Sequence, residues 1–410
     1  MKILFLDHPQ YDTGAFCLWA GLCDILGPNN VIVFPPKKLY YGNVDYHNEG
    51  YIAYLRDIYV NQKLTLPHGI PPLQQGEDII NGYPTHDTPY FVVHRGQPEY
   101  TEDDIVDMIK SRQFGLIVLA SGHRANTIAL ARLRDKFGGG NIGMNNLPPL
   151  VYLDAGERDE VNQHWIHLYH PKIIFKSVLT PEVYQEMKNR YGWNIYALPH
   201  SSFLAGKNLR TVVSEFNLRD APERVRENTP DFAKDGVPDS ITFNDNDKVI
   251  DIFYAFGPTY DKRAELIRTI DGFINNHAYI GIKKRTDGYH GFLDTIAHSR
   301  IAVSMRGSGR DTTRYWDIPL FRTLMLCDGT MGAIHPYPFE HGKTAIFYDE
   351  NRLNDIPGML QYYLEHEKER RTIAEAGFEH VRKYHTNAAR ATYFLEIVGK
   401  ELGQSMLQVK

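Results

Sequence analysis

The strongest constraint on this chain is an alternation of short, wholly apolar runs with longer segments of helical period, and it occurs twice in series. The first series opens with KILFL at Lys2–Leu6. Residues 15–26 follow at helical spacing, with Phe16, Leu18, Trp19, Leu22, Ile25 and Leu26 apolar. Residues 30–34, 116–120, 150–154 and 173–176 read as further strands, and 101–111, 126–137 and 181–190 as helices. Strands apolar on both faces and interleaved with helices are covered on both sides, which means a parallel, doubly wound sheet. The second series has strands at 249–255, 279–283 and 300–304, with helices at 262–275 and 291–298. Short strands at 324–327 and 344–347 and helices at 355–367, 369–384 and 387–407 complete it. The predicted class is α/β, with two Rossmann-like halves.

The sequence has 410 residues, more than one core usually serves. Residues 218–247 are polar, charged and proline-containing, and read as the connection between an N-terminal domain, 1–217, and a C-terminal domain, 248–386. Residues 36–100 are rich in Tyr, Pro, Gly and His and read as loops and short elements inserted in the first domain. The net charge of −5 lacks the basic footprint of a nucleic-acid binder. Cys17, Cys23 and Cys327 are three thiols without a CxxC spacing, which argues against a disulfide framework and a zinc site. No apolar run reaches the roughly 18 residues of a membrane span. The N-terminal apolar run is too short for a signal peptide, so the cytoplasm is the expected compartment.

The chemistry concentrates in SMRGSGRDTTRYWDIPLFRTLMLCD, residues 304–328. Gly307 and Gly309, with Ser308 between them, let the backbone approach a ligand, and positive φ is expected at both glycines. Asp311 or Thr312 is the expected cap of a following helix, whose free N–H groups (Thr313 among the first) would bind an anion. Arg306, Arg310 and Arg314 add forked donors suited to a diphosphate. Asp317, one turn on, is placed to accept from two ribose hydroxyls. The run is neither the GxGxxG fingerprint nor a Walker A loop.

GSGRDTTRYWD resembles the G-x-G-x-D-T-x-R-x-W-E signature of GT-B glycosyltransferases of the exostosin-like and spore-maturation CgeB-like kind. The resemblance implies that Arg314 and the helix start contact a donor diphosphate and that Asp317, in place of Glu, contacts the ribose. Ile318 to Arg322 replace the family's small-residue A-L-A-x-G segment, with Pro319 expected to kink the helix and Arg322 standing where the Gly would be. DIFYAFG and TYDKR resemble the opening of the family's donor domain, with Gly257 lining the cleft and Arg263 starting a helix. Near the end, Arg370, Gly377, His385, Thr386 and Arg390 match the family's tail pattern. In the first half, Val151–Asp154 with Gly156 and Glu157 matches only in style. The resemblance implies a GT-B fold, two Rossmann-like domains facing a cleft, with the C-terminal helix, 387–410, crossing back onto the first domain.

In that arrangement the acceptor binds the first half, and the base stands at the end of one of its strands. His8, Asp12, His123 and Asp154 are the unranked candidates. Lys283, Lys284 and Arg285 end a strand where they reach phosphate, base or solvent. His164, His167 and His170 recur every third residue without acidic partners and read as surface histidines. The expected activity is transfer of a sugar from a nucleotide sugar to an acceptor hydroxyl, on a glycan first of all. No metal and no cofactor beyond the donor substrate is expected. A phage-type DNA glycosyltransferase, a nucleotide-sugar epimerase and an inactive donor-binding module stay open as alternatives.

Overall fold

The computed structural model describes residues 2–7, 13–34, 100–120, 124–138, 147–156, 158–202, 248–283, 288–307, 309–329 and 332–403. The connection at 218–247 and nearly all of the 36–100 insertion therefore lie outside the described residues.

Among the described residues the first sheet holds six strands: β1 (Lys2–Leu6), β2 (Val31–Phe34), β3 (Phe114–Ala120), β4 (Leu150–Asp154), β5 (Ile173–Lys176) and β6 (Ile195–Ala197). They run parallel in the order β2-β1-β3-β4-β5-β6. Their helices are α1 (Thr13–Leu26), α2 (Glu102–Lys110), α3 (Arg124–Gly138), α4 (Gln163–Tyr169) and α5 (Pro181–Tyr191). The second sheet holds β7 (Ile250–Phe253), β8 (Gly281–Ile282), β9 (Ser299–Ser304), β10 (Leu324–Cys327) and β11 (Ile346–Phe347), in the parallel order β11-β10-β9-β7-β8. Its helices are α6 (Asp261–Asn276), α7 (Gly288–Ala297), α8 (Arg314–Asp317), α9 (Ile356–Glu365), α10 (Glu367–Tyr384) and α11 (Asn387–Leu402). This is the α/β, two-sheet architecture expected from the alternation.

The central strands β4, β5 and β10 are buried along their whole length, which is why they read as continuous apolar runs. The acidic first turn of α2 does more than favour the helix dipole. Thr101 and Asp104 form a reciprocal capping box at its start. Among the described residues, one strand and one α-helix were not legible. The three-residue β6 is too short to show a period, and α4 follows a loop without a side-chain cap.

The last helix, α11, packs against α1 of the first half through a glycine contact. A Cβ on Gly21 would lie 2.0 Å from the carbonyl oxygen of Asn387. Only a glycine lets the two backbones come this close. One core cluster accordingly joins Phe16, Trp19 and Leu22 of α1 to Phe394, Leu395 and Val398 of α11.

Candidate functional site

In a doubly wound sheet, ligands bind outside the C-terminal strand ends, where the strand order reverses. In the second sheet that switch lies between β7 and β9. The chain leaves β7 towards Gly257, leaves β9 at Met305 and Arg306, and leaves the neighbouring β10 at Asp328. Gly257 is exposed at this edge.

Arg263, on the first turn of α6, is buried across the switch point. Its Nη2 donates to the carbonyl of Met305 at 2.8 Å, its Nε to that of Arg306 at 2.8 Å, and its Nη1 to that of Gly257 at 3.2 Å. It thus ties the β7 and β9 exits together. Arg314 Nη2 donates to the same Met305 carbonyl at 3.1 Å. Two guanidiniums therefore share one acceptor, and neither forms an ion pair with a described residue. Arg314 Nε is sealed from solvent with no hydrogen-bond partner. Burial, then the neighbouring Arg263, holds the Arg314 pKa down to about 10. Two like charges, one buried and one half-buried, with an unmatched buried donor are costly in isolation. It is a site that gains from an anion.

Asp328 faces this pair from β10. One oxygen accepts from the backbone N–H of Arg306 at 2.9 Å, the other from the Tyr315 hydroxyl at 2.5 Å. Burial raises its pKa to about 6, against the hydrogen bonds that favour the charged form. Arg306 turns outward to Glu350 at 3.2 Å, with its guanidinium 5.1 Å from the Tyr260 ring centre. Asp328, Tyr315, Tyr260 and Glu350 were missed in the sequence. Asp328 alone carried a signal, as an acidic residue at the C-terminal end of a buried strand.

The remaining expectations for the 306–317 segment are corrected in several places. Gly307 does not take a left-handed backbone, and a Cβ there would meet nothing nearer than 3.9 Å. Gly309 is buried, and Ser308 lies outside the described residues. The helix does not begin at a capped Asp311 or Thr312. It begins at Arg314, its N-cap Thr313 makes no side-chain bond, and it is four residues long before a 3-10 turn takes over at Ile318. One turn of helix has too few aligned peptides for a useful dipole, so the anion argument rests on the arginines instead. Thr312 and Thr313 contribute only their carbonyls to that turn.

Asp311 and Asp317 face the other half of the chain. Asp311 is buried, accepting from the His200 backbone N–H at 2.6 Å and from Trp316 Nε1 at 3.0 Å. Asp317 is fully buried and accepts from the Ser202 hydroxyl at 3.2 Å. In this geometry it is a junction residue, not an exposed carboxylate awaiting a ribose. Arg310 forms a two-pronged pair with Asp159 of the first half, Nε to both carboxylate oxygens at 2.9 Å. Pro319 sits in the 3-10 turn, as its helix-breaking ring requires. Arg322, where the resemblance would place a glycine, has a φ of 50° and is left-handed, a backbone that glycine adopts most easily. Its side chain leaves the crevice to lie 3.7 Å over the Phe378 ring and to pair with Glu375 at 2.6 Å.

Among the acceptor-side candidates, His8, Asp12 and His123 lie outside the described residues. They follow β1 and β3, the switch point of the first sheet. Asp154 is corrected. It is buried and accepts from the N–H groups of Gly156 and Asn162, with Lys176 Nζ at 3.3 Å. Those bonds make it an organiser of the loop that carries Asp159, not a free base. Lys283 pairs with Asp271 at 2.8 Å, while Lys284 and Arg285 lie outside the described residues. His167 packs edge-on against Tyr191 and Trp193, and His164 against Trp165. Among the described residues no group of three or more His, Cys, Asp or Glu could hold a metal, and no helix is long and apolar enough to cross a membrane.

No curated protein matches the chain. Among solved structures, a glycosyltransferase from Rickettsia africae ESF-5 is similar, with a TM-score of 0.50, 11% identity and 98% of each chain covered. Anabaena HepE, solved with UDP-glucose, gives a TM-score of 0.43 and 10% identity over 98% of this chain and 100% of its own. A UDP-N-acetylglucosamine 2-epimerase-like protein from Listeria monocytogenes gives 0.43 and 9% identity, over 98% and 97%. Residues 252–396 match the family model described as glycosyl transferase-like. The chain therefore has the GT-B fold, and residues 252–396, which include the arginine pair, are similar to the glycosyl transferase-like family.

Proposed function

We propose that the chain is a metal-independent glycosyltransferase that moves a sugar from a nucleoside-diphosphate sugar to an acceptor hydroxyl. The observation that carries this reading is the Arg263–Arg314 pair, two guanidiniums on one carbonyl at the switch point, one with an unmatched N–H. A diphosphate supplies the charge and the acceptors the pair lacks. As the bond from the anomeric carbon to the diphosphate oxygen breaks, the same groups stabilise the charge on the leaving group, the task a divalent ion performs elsewhere. The acceptor oxygen forms the new bond to that carbon, and its proton passes to a base of the first half. His8, Asp12 and His123 remain the candidates.

We favour the exostosin-like and CgeB-like subtype, with residues 248–386 holding the donor and 1–217 the acceptor. Among acceptors we favour a glycan, because a net charge of −5 opposes a phosphate backbone. The three cysteines are buried free thiols, the state a cytoplasmic compartment maintains.

The test is product analysis with UDP- and GDP-sugars, with and without a glycan acceptor, in excess EDTA. Acceptor-dependent product is the expected outcome. Epimerised or hydrolysed donor alone sinks the transferase reading, and turnover restored only by manganese sinks metal independence.

A further inference from the structure

We propose that Arg390, buried on α11, is a positioning residue for the donor loop, acting with Asp311 through the backbone of His200. The inference rests on the reading of residues 306–314 as the donor site. His200 is held on both of its backbone polar groups. Its N–H donates to Asp311, in the donor loop, at 2.6 Å. Its carbonyl accepts from Nε and Nη2 of Arg390, on α11, at 3.2 Å each. The donor loop and the crossover helix are thereby fixed to one residue of the first half.

A second path runs through Trp316. Its indole N–H donates to Asp311 at 3.0 Å, and its ring lies 5.2 Å from the Arg390 guanidinium. Trp316 stands two residues beyond Arg314 on the same helical turn, so both paths from Arg390 end at the arginine pair. The junction is closed by neighbouring bonds. Ser201 Oγ donates to Asn387 Oδ1 at 2.7 Å, and Ser202 N–H to the His385 carbonyl at 2.9 Å.

Arg390 is 2% exposed and Asp311 7% exposed, so both are spent on contacts inside the protein and not on the surface. A buried guanidinium is also an expensive way to fill space, since an apolar side chain of similar volume does so without desolvation cost. What it supplies is a planar fork with fixed directions. Here the fork spans the His200 carbonyl and, at 2.6 Å, Nδ1 of His385. Burial keeps His385 neutral, so its Nδ1 can accept that bond.

The test uses the full chain with Arg390→Ala and Arg390→Lys, followed by amide hydrogen exchange and by calorimetric titration with UDP as the probe. In R390A the amides of residues 306–317 exchange at least tenfold faster, and UDP affinity falls at least tenfold. R390K keeps one donor for the His200 carbonyl and recovers part of both effects. Faster exchange confined to residues 198–202 and 384–390, with 306–317 unchanged, overturns the proposal, because a local packing role would do only that. Where R390A does not fold, R390K decides by the same readouts. A wild-type chain that binds no nucleoside diphosphate overturns the donor reading instead, and the exchange arm still decides the coupling.

Discussion

Arg263 and Arg314 donate to a single acceptor, the Met305 carbonyl oxygen, at 2.8 and 3.1 Å. Removing Arg314 relieves the repulsion between them and deletes an unmatched buried donor, so Arg314→Ala should unfold at the same temperature as the wild type or higher. The same change should weaken nucleoside-diphosphate binding by roughly 1.5–3 kcal/mol, the range for charged hydrogen bonds. Calorimetry and a thermal melt on one preparation decide it. A variant that loses stability but keeps its affinity would make Arg314 a structural strut.

Asp317 and Ser202 form the opposite case, a buried pair that joins the two halves. Asp317→Ala removes the hydrogen bond from the Ser202 hydroxyl across the two halves and should cost about 1–3 kcal/mol of stability. Its effect on nucleotide binding should not depend on the ribose hydroxyls. UDP and 2′,3′-dideoxy-UDP should therefore weaken equally against the variant. A loss seen with UDP alone would return Asp317 to the ribose site.

The fold was legible because burial on both faces leaves apolar runs such as LVYLD at β4 that no surface strand shows. The donor segment was legible for a related reason, since glycines and arginines after a strand have few structural uses. What its carboxylates do was not legible. Asp311 and Asp317 are spaced like site residues, yet their partners are His200 and Ser202, more than a hundred positions away in the chain. Periodicity reports what an element buries, not which element it meets. The same limit hid the Asp159–Arg310 pair and the acceptor role of Asp328. Arg322 shows the converse, where a departure from the pattern the segment resembles is absorbed by a left-handed arginine stacked on Phe378.

Gly21 and Gly272 both sit in helices, and alanine should act oppositely at the two. A Cβ at Gly21 meets the Asn387 carbonyl oxygen at 2.0 Å and the Ala391 Cβ at 2.9 Å, so α1 and α11 must separate. Gly21→Ala should cost about 1–3 kcal/mol or more, the range for overpacking. Gly272 is exposed, with nothing within 4 Å of an added Cβ. Gly272→Ala should gain about 0.5–1 kcal/mol from helix propensity alone. Urea midpoints measure both. Equal shifts would show that the α1–α11 contact yields without cost.

Asp328 gives the chain a stability term of unusual sign. Its carboxyl titrates at about 6 in the folded protein, against 3.8 for an ordinary aspartate. Between those values the folded state keeps a proton that the unfolded chain has released. Stability from this group therefore falls as pH rises through the window, and its full cost is present above about pH 6. About two pKa units correspond to at most about 3 kcal/mol, and part-exposure of Asp328 reduces that. Asp328→Asn removes the charge and keeps an oxygen for the Arg306 N–H, while the Tyr315 hydroxyl can turn to accept from the new amide. The variant should match the wild type near pH 4 and exceed it by pH 7.5, in melts compared at each pH. The difference between the two proteins isolates this one group, because every other carboxylate is common to both. A gap that is constant with pH, or a variant less stable at pH 7.5, would mean that Asp328 is ionised at little cost and that the neighbouring arginines hold it as a counter-ion.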